Sequence, residues 1–137
     1  MLSRLFSSLG ARTVDVSAHC DLPCGVYDPA QARIEAESVK KIIEKVNDSA
    51  DADLRIRGTI IKEQRSELVK HHLWVLWTDY FKAPHFESYP ELHTLFNEAT
   101  KLAGASGTKG NWDVSTADEL LAKIDRIAAI FAETKKA

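Results

Sequence analysis

DPAQARIEAESVKKIIEKVN, Asp28 to Asn47, sets the fold class of this chain. Asp28 is a capping residue, Pro29 suits a first helical turn, and Gln31 follows the cap by three positions, as in a capping box. Ala32, Ala36, Val39, Ile43 and Val46 then recur at spacings of four, three, four and three, which lines one side of an α-helix. Asn47-Asp48-Ser49 ends the helix.

Reading toward the carboxyl end, a second and longer helix is expected from about Asp53 to Tyr80 or Phe81. Ile61, Leu68, His72 and Leu76 form its stripe and Gly58 is a weak point. Trp74 and Trp77 are bulky anchors for the core or a subunit interface, at least one of them in the core. Ala83-Pro84-His85 breaks this helix, and Ser88-x-x-Glu91 with Pro90 opens a third. Its apolar face is Leu92, Leu95, Phe96, Ala99, Leu102 and Ala103. Gly104 stops it, and Gly107 and Gly110 extend the loop. Ser115-x-x-Asp118 begins a fourth helix with the face Leu120, Leu121, Ile124, Ile127, Ala128 and Phe131. Four amphipathic helices without a strand pattern predict an all-α, up-down four-helix bundle over residues 28–137.

The 137 residues suffice for one domain with its own core. A net charge of −2, with no lysine or arginine block, argues against a nucleic-acid partner held by phosphate contacts. No apolar run of about 18 residues occurs, so no membrane-spanning helix is expected. Two cysteines are too few for a disulfide scaffold.

Both cysteines fall in HCDLPCGVY, His19 to Tyr27, ahead of the first helix. Two thiols with a histidine directly before the first supply soft sulfur and borderline nitrogen donors close enough to chelate one ion. Pro23 and Gly25 bend the backbone, so the segment reads as a compact hook rather than helix or strand. A square-planar arrangement of such donors suits nickel or copper, whereas zinc prefers a tetrahedron. Spacing alone does not separate these metals. A C-x-x-x-C pair also fits a thiol oxidoreductase that cycles Cys20 and Cys24, or a metal-binding bundle without turnover. His71, His72, His85 and His93 have no cysteine or acid at ligand spacing and read as packing or surface residues.

HCDLPCGVYDPAQARIEAES, His19 to Ser38, resembles the mature amino terminus of the nickel superoxide dismutases, whose hook has the form H-C-x-x-P-C-G-x-Y. LWVLWTDYFKAPHFESYPELH, Leu73 to His93, and FAETKKA, Phe131 to Ala137, resemble the same family. The resemblance implies one nickel ion per subunit, held by the amine and imidazole of His19, the backbone amide of Cys20 and the thiolates of Cys20 and Cys24. It implies that Glu35 holds the His19 ring and Arg65 extends that network. It also implies that Tyr27 and Tyr80 restrict the approach of superoxide, that Asp21 and a cis Pro23 shape the hook, and that subunits assemble as a hexamer. Lys82, near the expected docking face of the hook, is a candidate for attracting the anion.

MLSRLFSSLGARTVDVSA, residues 1–18, precedes the mature pattern and reads as a leader removed by a processing protease, leaving 19–137 as the enzyme domain. Its apolar stretch is interrupted by Ser7 and Ser8 and falls short of a secretory core, so cytoplasmic location is expected, with export as the alternative.

Overall fold

The computed structural model describes residues 24–136. Within them every regular element is helical: α1 (Ala30–Asn47), α2 (Ala52–Val75), a π-helical turn (Leu76–Tyr80), a short α3 (Ala83–Ser88), α4 (Leu92–Leu102) and α5 (Val114–Thr134). The α1 helix packs on α2 and α5, and α4 packs on α5 and α2, so the four long helices close into the expected up-down bundle.

The sequence stripe of α1 is its buried face: Ala32, Ala36, Val39, Ile43 and Val46 are at most 2% exposed. Asp28 starts the helix by accepting a hydrogen bond from the Ala30 N–H at 2.8 Å. Arg33 pairs with Asp125 at 2.8 Å and Lys40 with Asp118 at 2.6 Å, which ties the rim of α1 to α5. On α5, Leu120, Ile124, Ile127 and Ile130 are fully buried, each worth about 1.5–3 kcal/mol relative to exposure. Asp113, not Ser115, sits at the amino-terminal cap of this helix.

The stripe of α2 is rotated from the one expected. Gly58, Lys62, Ser66, Val69 and Leu73 are buried, whereas Ile61 and Leu68 lie on the exposed side with Ile56 and Ile60. Small and polar residues occupy the inner face because the helix is approached closely there. A Cβ on Gly58 would come within 2.6 Å of the Val46 side chain, so Gly58 is a contact point between α1 and α2 rather than a weak one. Lys62 reaches through the gap to the loop after α4 and donates to the carbonyls of Lys109 (3.3 Å) and Asn111. Ser66 and Thr108 exchange a buried hydrogen bond of 2.8 Å to the same loop.

Two local features differ from the expected helix boundaries. The second helix ends in a π turn, where the Phe81 N–H reaches the Leu76 carbonyl at 3.0 Å. Pro84 both ends that helix and sits in the first turn of α3, a position proline favours because its missing N–H has no helical partner. Ser88 therefore closes α3 instead of capping α4, and Glu91 receives Arg126 at 2.6 Å. Of the two tryptophans near the end of α2, Trp77 stacks on Phe96 in the core and Trp74 is partly exposed beneath Lys70.

Candidate metal centre and its supporting residues

The hook enters the described structure at Cys24, and its thiol is exposed. Gly25 follows with φ of 71°, a left-handed backbone that a side chain would strain. This reversal turns the Val26 N–H back on the sulfur, 3.5 Å away. The sulfur also lies 3.9 Å from the Val26 carbonyl oxygen, so both backbone groups of Val26 face it. His19, Cys20, Asp21 and Pro23 lie outside the described residues.

Tyr27 leaves the hook and packs against the bundle, its ring 5.7 Å from that of Tyr80. The π turn is what presents Tyr80 there while Phe81 goes into the core at 2% exposure. Such turns add a residue to a helix and often occur at functional sites. The Tyr80 ring also meets Phe131 (4.5 Å) and His85 (5.8 Å), and its hydroxyl lies 2.8 Å from that of Thr134.

Glu35 on α1 and Arg65 on α2 form the second expected pair. One guanidinium nitrogen reaches both carboxylate oxygens, at 3.1 and 3.2 Å, with Glu35 largely covered and Arg65 more open. Each residue borders the buried stripe of its own helix, so the α1–α2 packing fixes the pair at the bundle surface. Lys82 is exposed at the start of α3, next in the chain to the Tyr80–Phe81 corner. No described side chain pairs with its amine.

Among the described residues no three of His, Cys, Asp or Glu gather closely enough to hold an ion. His93 accepts from the Trp77 indole at 3.0 Å and stacks on Phe86, His85 accepts from the Lys82 N–H, and His71 and His72 contact each other. The described donor best suited to a soft or borderline metal is Cys24, and a hook carrying one further thiol and an imidazole directly ahead of it fits nickel by donor chemistry.

Residues 14–135 match the family model described as nickel-containing superoxide dismutase. The chain belongs to the nickel-containing superoxide dismutase family. It is 64% identical over 137 residues, the whole of both chains, to the nickel superoxide dismutase of Streptomyces seoulensis. Identity to that of Streptomyces coelicolor is 60%, again over the whole of both. A solved nickel superoxide dismutase with nickel ligation corresponding to the oxidised state superposes with a TM-score of 0.83 at 65% identity, covering 87% of this chain and 100% of that one. The native structure of another, at 60% identity, also gives 0.83 with the same coverage.

This family chemistry assigns the reaction. The enzyme uses nickel to convert two superoxide anions and two protons into oxygen and hydrogen peroxide. The thiol oxidoreductase and the inert metal carrier lose their footing, since the full-length relatives share the dismutase activity in their names.

Proposed function

We propose that His19, Cys20 and Cys24 hold the nickel, after cleavage between Ala18 and His19 frees the His19 amine, and that Tyr27, Tyr80, Glu35 and Arg65 serve the bound ion from the bundle. The observation that carries this reading is the placement of Tyr27 against Tyr80 only three residues beyond the exposed thiol of Cys24. Solved variants of a relative support it. They change a histidine at the first position, an aspartate at the third and a tyrosine at the ninth. Counted from His19, those positions here are His19, Asp21 and Tyr27.

When bound, nickel supplies the one-electron exchange by alternating between its divalent and trivalent states. The chain supplies the rest. Thiolates of Cys20 and Cys24 offer anionic sulfur, and the Val26 N–H moderates the charge on Cys24. Glu35 would hold the His19 imidazole by accepting its N–H, while Arg65 reaches both Glu35 oxygens and orients the carboxylate. The Tyr27–Tyr80 pair narrows the approach so that only a small anion enters. Asp21 and Pro23 shape the hook, and Lys82 adds local positive charge that attracts superoxide.

Residues 1–18 act as a processing leader. Their removal from 137 leaves 119 residues, 87% of the chain, and two solved relatives that are covered completely match 87% of it. The broken apolar stretch of the leader supports a cytoplasmic protein. The outward face of α2 carries Ile56, Ile60, Ile61 and Leu68, each at least 36% exposed, which supports burial of that face between copies of the chain in a homohexamer.

A peptide nitrogen yields its proton far less readily than an amine, whose pKa is about 8. Chains beginning at Met1, Ala18 and His19 are therefore to be loaded with nickel and compared for metal content and superoxide consumption. Full activity is expected only from the chain beginning at His19. Equal activity in all three would remove the terminal amine as a ligand.

A further inference from the structure

The hydroxyl of Tyr80 is held by the last turn of α5. Thr134 Oγ1 lies 2.8 Å from the Phe131 carbonyl oxygen and 2.8 Å from the Tyr80 hydroxyl. A carbonyl can only accept, so the single Thr134 proton goes to Phe131. The Tyr80 hydroxyl is then the donor to Thr134. Its proton is committed to Thr134, and its oxygen offers only lone pairs to any other group.

The ring is fixed as firmly as the hydroxyl. Phe131 and His85 flank it, Phe81 meets it edge-on at 4.9 Å, and the Lys135 amine lies 5.2 Å from its centroid. Beside this contact, the Tyr89 hydroxyl donates to Glu133 at 2.6 Å. Two tyrosines that flank α3 thus grip consecutive residues, Glu133 and Thr134, at the end of α5.

We propose that Thr134 is a positioning residue for the dismutase reaction: by taking the phenolic proton of Tyr80 it makes that tyrosine an acceptor at the entrance and prevents it from donating to an incoming anion. This rests on the reading of Tyr80 as part of the entrance. An anion leaving or entering such a gate finds no hydrogen-bond donor on Tyr80 to retain it. A water molecule can still be ordered there by donating to the phenolic oxygen. The two protons consumed in forming hydrogen peroxide come from elsewhere.

Thr134→Val keeps the shape of the side chain, removes the acceptor and frees the Tyr80 proton. Azide, used as a small anionic probe of the nickel-loaded enzyme, should then bind more tightly by a factor of about two to ten, the worth of one hydrogen bond. Thr134→Ser should bind it as the parent does. Adding Tyr80→Phe to Thr134→Val should cancel the gain. In the metal-free 137-residue chain carrying 13Cζ-tyrosine, Thr134→Val should move the Tyr80 resonance and leave that of Tyr89 in place. Loosening of the α5 terminus without this role would weaken azide or leave it unchanged, and would move both resonances. Either result overturns the proposal. If Tyr80→Phe alone alters azide binding and Thr134→Val does not, the positioning role fails and the entrance reading stands. If Tyr80→Phe alters neither azide binding nor turnover, the entrance reading fails and takes the proposal with it.

Discussion

Replacing Lys62 by methionine should destabilise the bundle by about 2–4 kcal/mol, because only one side of a buried polar contact is removed. Lys62 is 1% exposed, and its ammonium donates to the Lys109 and Asn111 carbonyls while lying 4.1 Å from the centroid of the Trp112 ring. Methionine retains the length of the stem but leaves both carbonyls without that donor, at about 1–3 kcal/mol for each one cut off from water. The contact with the ring is worth up to about 2 kcal/mol when desolvated. Relief from burying a charge offsets part of this, since burial already lowers the pKa of Lys62 below its usual value. Urea unfolding of the full chain, followed by far-UV circular dichroism and by tryptophan fluorescence, measures the difference at constant slope. The unfolded chain binds more protons than the folded one between the lowered pKa and the ordinary 10.5, so parent stability should rise with pH across that window. Lys62→Met should lack that rise. A variant within about 0.5 kcal/mol of the parent, the usual range for a surface change, would refute the claim that this amine holds the loop after α4.

Cys20→Ser and Cys24→Ser should each abolish nickel binding and activity while leaving the helical circular dichroism intact, since Cys24 lies outside both hydrophobic clusters; full dismutase activity in either would sink the thiolate site. His19→Gln should retain nickel and lose most turnover, with Glu35→Ala a milder version, and metal analysis beside a superoxide assay separates the two effects. The Glu133 carboxylate that accepts the Tyr89 proton raises the pKa of Tyr89, so the stability this contact contributes below pH 10 should fade as pH climbs through the raised value. Tyr89→Phe should flatten that alkaline loss in urea unfolding, and an unchanged profile would remove the contact.

Helices α1, α4 and α5 are legible because each buries an apolar stripe that recurs at helical spacing. For the second helix the same reasoning finds Leu76 in the core but puts Ile61 and Leu68 on the wrong side. Its inner face carries Gly58, Lys62 and Ser66, chosen for close approach and for hydrogen bonds to a loop some forty residues later in the chain, while isoleucines face outward. Apolar periodicity cannot distinguish a core from a surface that another subunit would cover. The Glu35–Arg65 and Tyr27–Tyr80 pairs were reachable through the hook motif and are found in contact. Thr134 gave no signal, since a threonine near the end of a helix has no pattern that announces a partner more than fifty residues earlier.

The π turn at Leu76–Tyr80 stores the position of Tyr80 as a count of residues rather than as a choice of side chain. An i to i+5 turn accommodates one residue more than an α turn, and the surplus rotates whatever follows by about 100° around the axis. Deleting one residue from this segment would let α2 continue as an ordinary helix with its upstream contacts undisturbed. Tyr80 and Phe81 would then each turn by one residue's rotation, which would displace the phenol from Tyr27. Any lineage that loses this extra residue would keep the bundle and lose the Tyr27–Tyr80 contact.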